Sequence, residues 1–257
     1  MGKKTKKLTW ISVLQILTVA ALLGYMQFAV KTGRISKIFI AAPTDIVTKG
    51  TDLAVSGKLW PHLLLTLQEV LAGYALAAGV GILIGFLWVL FPKLEKYMSV
   101  FCSAIMAVPK TAVLPLLILW FGIGFQSKVF LIFLFGVFTI LYNTVTGAKQ
   151  CSEDYVKVAR VFEATRLQLV FRVMVPAALP SVFNGLRLAA ATALTGVVFA
   201  EMQSAKAGLG FLLSEAQNNL DTARVFFIII LVTLISVGFV KIIQGIEYIV
   251  CHKWRKV

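Results

Sequence analysis

The sequence predicts an all-α integral membrane protein with about six transmembrane helices. Hydrophobic residues make up 59% of the 257 positions and charged residues 14%, against about 25% charged in a typical soluble domain. Apolar runs of about 20 residues recur along the chain, the length that crosses the hydrocarbon of a bilayer. The basic residues gather at the ends of those runs. The mean hydropathy is +0.89. The net charge of +14 suits either a nucleic-acid surface or cytoplasmic loops rich in Lys and Arg. Placement at run ends favours the loops, and no nucleic-acid partner is expected.

The runs define a single transmembrane domain over 1–257, with spans near 8–30, 62–91, 98–121, 128–147, 182–203 and 225–250 and a cytoplasmic loop over 148–180. The start, MGKKTKK, is basic and precedes an apolar run from Leu8 to Val30. That run is too long for a signal-peptide core and no A-x-A site follows, so it is expected to remain as the first span. Lys6 stands where a myristoylation signal needs Ser or Thr. With the N-terminus inside, the inner segments hold Lys3, Lys4, Lys6 and Lys7, then Lys93 and Lys96, then Lys149, Lys157, Arg160, Arg166 and Arg172, and finally Lys253, Arg255 and Lys256. They outnumber the basic residues of the outer segments, where Lys128 falls, so both termini are expected in the cytoplasm.

Span two places Gly73, Ala77, Gly81 and Gly85 on one helix face, and span five does the same with Gly185, Ala189, Ala193 and Gly196. Such small-residue faces let helices approach closely in lipid. Span three contains AVPKTAVLP, in which Pro109 and Pro115 each remove a backbone donor and disturb the helix. Lys110 sits near mid-span, where a lysine costs about 2.5–3.5 kcal/mol on insertion scales and must face protein or water. Pro109, Lys110, Pro115 and Glu201 are candidates for a solute path. A lysine tied to carbonyls freed by the neighbouring proline is an equal alternative. Glu69 and Arg187 are each either functional or packed polar groups, and Arg187 is within snorkelling reach of the inner face. After Glu201 the glycines Gly208 and Gly210 break the chain, and LLSEAQNNL suits a short helix on the outer face.

The loop between spans four and five is the most informative segment. Ser152 suits a helix N-cap, with Glu153 and Asp154 at the positive end of the helix. Tyr155, Val158, Ala159 and Phe162 follow at i, i+3, i+4 and i+7, one apolar stripe. Thr165 and Gln168 form a T-x-x-Q capping box opening a second helix, and Pro176 and Pro180 mark the entry to span five. A short amphipathic helix with no internal partner fits a groove on another protein or the lipid interface. On these grounds alone the two are equally open.

This loop resembles that of bacterial ATP-binding-cassette importer permeases, whose motif is E-A-A, three variable residues, G, nine variable residues, then I-x-L-P. Ala159 matches the second alanine, and Val173, Val175 and Pro176 fall at the tail. The chain departs with Lys157 for Glu, Val158 for the first Ala and Glu163 for Gly. The glycine would end the helix in a left-handed conformation. A glutamate keeping that geometry costs about 1–2 kcal/mol, so the turn is either strained or differently shaped. The segments KLWPHLLLTLQEVLAGYALAAGVGILIGF, AVPKTAVLPLLILWFGIG, MVPAALP and GLRLAAATALTGVVFAEMQSAKAGLGFLL are similar to the subfamily that imports nitrate, sulfonates, taurine and bicarbonate.

The resemblance implies the type I importer fold. It also implies a coupling helix over Glu153–Phe162, with Tyr155, Val158, Ala159, Arg160, Phe162, Glu163, Ala164 and Thr165 at the ATPase contact. The expected assembly has a second permease copy, two ATPase subunits holding ATP and magnesium, and an extracytoplasmic binding protein, all in a bacterial cytoplasmic membrane. The implied solute is a small anion such as a sulfonate, taurine or nitrate, with a thiamine-precursor pyrimidine or an aromatic carboxylate as alternatives. The chain itself carries no P-loop, because Gly57-Lys58 is followed by Leu59 and lacks the required upstream glycine. No enzymatic activity, bound cofactor or metal is expected of it: two histidines and three cysteines without a C-x-x-C pair form no ligand cluster. A secondary transporter is the rival class and needs intramembrane acids such as Glu69 and Glu201.

Overall fold

The computed structural model describes residues 2–204 and 206–254, with side chains described for 10–204 and 206–251. Arg255 and Lys256, and the side chains of Lys3, Lys4, Lys6, Lys7 and Lys253, which contribute to the expected inward charge bias, lie outside that description. Every regular element among the described residues is helical. In order they are α1 (Gly2–Lys31), α2 (Pro43–Val55), α3 (Leu59–Leu90), α4 (Pro92–Ala107), α5 (Leu114–Phe121), α6 (Phe125–Lys149), α7 (Glu153–Val161), α8 (Arg166–Leu169), α9 (Val175–Ser204), α10 (Leu209–Asn218) and α11 (Thr222–Trp254). Among the described residues five helices are long and apolar enough to cross a membrane, and the pair α4 with Lys110–Phe121 makes a sixth candidate, bent by 86°.

Two compact units form. One joins the chain up to Pro61 with Leu212–Leu231; the other joins His62–Phe211 with the chain from Val232 onward. In the first unit, α2 lies in a segment that the sequence left as a plain outer connector. Pro43 opens it, where the missing donor is harmless. Its Lys49 pairs with Asp221 at 3.4 Å, Gly50 seats the ring of Phe227, and Gln27 of α1 hydrogen-bonds Thr44.

In the second unit α6 is held between α3 and α9 by the two small-residue faces. A Cβ on Gly81 would come 2.9 Å from the Val137 carbonyl oxygen, and one on Gly85 2.7 Å from Thr144. From the other side, a Cβ on Gly185 would come 2.7 Å from Asn143. Ala77 and Ala189 both close on Gly136. Without a hydrophobic drive in lipid, this close backbone approach supplies the packing. Tyr74 donates to the Leu186 carbonyl at 3.1 Å, tying α3 to α9.

Two expectations need correction. Span three, expected over 98–121 with both Pro109 and Pro115 disturbing its helix, breaks after Ala107, at the first of them only. Val108 takes extended backbone at the break and Pro109 follows it; Pro115 lies in the first turn of α5, where its missing donor costs nothing. Span five, expected over 182–203 with Pro176 and Pro180 outside it, runs unbroken from Val175 to Ser204 with Pro180 inside. Ala178 and Val182, on either side of that proline, are 0% and 4% exposed. Their burial against Val89, Ala148 and Val170 holds the helix through a proline that costs about 3 kcal/mol in isolation.

Candidate functional site

The loop helix α7 forms as its residues dictate. Ser152 Oγ accepts from the Asp154 amide at 3.3 Å, and Lys157 lies 3.8 Å from both Glu153 and Asp154. The helix ends in a Schellman turn. The Ala164 amide donates to the Ala159 carbonyl and the Glu163 amide to the Arg160 carbonyl. Glu163 takes φ +54°, so the left-handed turn is kept without a glycine. Thr165 then caps α8: its Oγ1 accepts from the Gln168 amide at 3.3 Å, and Gln168 Oε1 accepts from the Thr165 amide at 2.9 Å. A π-type turn over Val170–Met174 continues into α9. Val170, 2% exposed, packs with Val89, Ala148, Ala178 and Val182, which fastens the loop to α3, α6 and α9.

Within the chain the stripe of α7 is left uncovered. Tyr155, Val158 and Phe162 are 65%, 55% and 80% exposed, and Val161 beside them 80%. Ala159 and Ala164 are half-buried, and Arg160, Glu163 and Thr165 are exposed. The predicted coupling residues therefore share one short, doubly capped helix–turn unit. Partial burial pushes the Cys151 thiol upward.

A second constellation was only half visible in the sequence. Lys128, counted with the outer segments at the start of span four, lies inside α6 at 4% exposure, with its Nζ 2.5 Å from Glu69 Oε1. Glu69 is fully buried, and its Oε2 has no hydrogen-bond partner among the described residues. Glu201 lies in the same cluster, 1% exposed. Its Oε1 accepts from Thr66 Oγ1 at 2.6 Å and its Oε2 from the Gly210 amide at 2.7 Å. Thr66 Oγ1 in turn accepts from the Leu209 amide, and His62 Nδ1 from the Gly208 amide, both at 2.9 Å. Three residues of α3, His62, Thr66 and Glu69, are thus spaced about one turn apart along one face. His62, Thr66 and Glu201 satisfy the otherwise orphaned amides of Gly208, Leu209 and Gly210 at the start of α10, while Glu69 holds Lys128. Gly208 rests directly on the Glu201 carboxylate. Opposite charges near the same end of spans two and four were the available sign of the Lys128–Glu69 pair. Arg187 is also paired, 3.3 Å from Glu247.

The other path candidates lie elsewhere. Lys110 opens a 3₁₀ turn, Lys110–Val113, after the break in span three. Its ammonium stands 5.5 Å from the ring centroid of Phe135. Pro115 lines a cleft of about 570 Å³. Glu201, by contrast, is consumed by the buried cluster.

Residues 77–255 match the family described as binding-protein-dependent transport system inner membrane component. The chain belongs to this family. It is 32% identical to the putative aliphatic sulfonates transport permease protein SsuC of Bacillus subtilis, over 93% of this chain and 87% of that protein. It is also 32% identical to the formylaminopyrimidine transport permease protein ThiX of Halalkalibacterium halodurans, over 84% of this chain and 86% of that protein. Its fold is similar to a chain of the inward-facing methionine ABC transporter MetNI, with a TM-score of 0.65 at 18% identity over 75% of this chain and 95% of that one. The fold is that of the type I ABC importer permeases. The family assignment makes the chain a multi-pass membrane permease subunit and not an ATPase.

Proposed function

We propose that the chain forms the translocation path of an ATP-driven importer for a small organic anion of the sulfonate class. It works with a second copy of itself, two ATPase subunits that hold ATP and magnesium, and an extracytoplasmic binding protein. It lies in a bacterial cytoplasmic membrane with both termini inside. The observation that carries this reading is the uncovered apolar stripe of α7 on a helix capped at both ends and fastened through Val170. A rigid helix with exposed Tyr155, Val158 and Phe162 suits a groove on a partner. Its anchorage in the span core suits the transfer of rigid-body motion. ATP binding draws the ATPase subunits together, the two α7 helices follow, and the spans switch from inward-open to outward-open toward the binding protein. Hydrolysis reverses the switch. The sulfonate class is supported by the Bacillus subtilis relative. A formylaminopyrimidine-type solute is the second reading, supported by a relative of equal identity.

The test is a tagged pull-down of the full chain from its native host in mild detergent, with co-purifying proteins identified by mass spectrometry. An ATPase with a P-loop and a secreted binding protein are expected, and the ligand of the latter then identifies the solute. Recovery of the chain alone, under conditions that preserve such complexes, would place α7 on the lipid interface and favour a secondary transporter.

A further inference from the structure

The break in span three leaves a cation inside an apolar region without a counter-charge. Among the described residues no carboxylate lies within 4.0 Å of the Lys110 ammonium, whereas Lys128 and Arg187 each hold one. The ammonium instead stands over the face of Phe135, an attraction that leaves its net charge in place. Phe135 abuts Gly196 of α9. Phe199 and Gln203 follow Gly196 at i+3 and i+7 on that same face, and both line the 570 Å³ cleft opposite Thr111, Pro115 and Ile118. Thr111 and Gln203 present exposed polar side chains with no hydrogen bond inside the molecule among the described residues. The cleft falls within the usual volume range of small-molecule sites, and it combines an apolar wall with a few polar groups.

We propose that Lys110, Thr111 and Gln203 form a transient station for the charged head of a small organic anion, with Phe199 and Ile118 against its apolar part. An uncompensated ammonium in a low-dielectric setting attracts a mobile anion and repels a cation. The free hydroxyl and amide supply hydrogen-bond donors for sulfonate or carboxylate oxygens. An amphipathic anion uses every wall of the cleft; a bare inorganic ion leaves the aromatic wall unused. The proposal deepens the importer reading and rests on it for its role in transport, but the station itself is built within this one chain.

The test uses the full chain in native membranes, with Cys102, Cys151 and Cys251 replaced by alanine and Gln203→Cys introduced. The thiol is reacted with two methanethiosulfonates of similar size, one bearing a sulfonate and one a trimethylammonium. With Lys110 present, the sulfonate reagent is expected to react faster relative to the ammonium reagent, by a ratio on the order of tenfold. That preference disappears in Lys110→Met and returns in Lys110→Arg, which separates a charge effect from misfolding. A ratio unchanged by Lys110→Met, or a thiol that neither reagent reaches, would overturn the proposal. No ATPase or binding protein is needed, so this result stands apart from the pull-down. In cells importing ethanesulfonate, Lys110→Met should lower uptake at least about tenfold while Lys110→Arg retains it; equal uptake by both variants would also overturn it. Absence of wild-type ethanesulfonate uptake counts against the sulfonate reading alone, and the labelling ratio still decides the station.

Discussion

Two regions of this permease reverse the usual rules in opposite directions. Around Glu69, Lys128, Thr66 and Glu201, polar groups are buried in a membrane protein and almost all are satisfied from within. On α7, apolar side chains are left in the open on an otherwise polar helix. The first region is closed: Lys128 pairs with Glu69, and Glu201 is held by the Thr66 hydroxyl and the Gly210 amide, so the cluster holds α3, α6, α9 and the start of α10 in register. The second is open: its backbone groups are satisfied by caps, but its apolar face has no partner among the described residues. Satisfaction of polar groups and burial of apolar ones are separate requirements.

The largest expected effect breaks the closed region. Lys128→Met leaves the Glu69 carboxylate buried without its cation, a loss of about 3–5 kcal/mol. A marked fall in the thermal midpoint of the detergent-solubilised protein is expected, and Glu69→Gln in the same chain should recover much of it. A single variant as stable as the parent would show that the pair does not hold these helices.

Next comes the open region. Phe162→Asp removes an exposed aromatic anchor and should leave the thermal midpoint unchanged. Co-purification of the ATPase should weaken by about 2–4 kcal/mol, the scale of an interface hot spot. Undiminished ATPase recovery together with normal uptake would end the docking account of α7.

The smallest effect sharpens the comparison at the turn after α7. Glu163 at φ +54° carries a left-handed strain that glycine lacks. Glu163→Gly should stabilise the chain by about 0.5–1 kcal/mol after the entropy of the glycine in the unfolded chain is subtracted. Leu220, at φ +53° after α10 in a second Schellman turn, should respond alike under Leu220→Gly. A destabilised Glu163→Gly beside a stabilised Leu220→Gly would mean that the glutamate side chain itself matters at the loop.

Much of the loop was legible in the sequence because its signals are local. The Ser152 cap, the Thr165–Gln168 box and the 3.6-residue stripe all act within one or two turns of the chain. The small-residue faces of α3 and α9 were legible for the same reason, although the sequence did not say that both close on α6. The continuation of α9 through Pro180 was not legible: proline is a reliable local breaker, and the packing of Ala178 and Val182 overrides it. The sequence counts Lys128 with the outer segments because its position at the start of an apolar run looks like a membrane boundary. Its partner Glu69 lies 59 residues away, and no local pattern names a partner at that distance.

By itself, then, the sequence determined the all-α membrane class, the caps and the apolar stripe, because hydropathy and helical period are properties of contiguous residues. Tertiary structure alone decided how far span three bends at Pro109, by 86°, that Glu201 is spent on the start of α10, and that no carboxylate among the described residues reaches Lys110. Each of these depends on which distant groups arrive at the same point when the helices close, and in an apolar medium a charge is either matched there or left exposed to whatever passes.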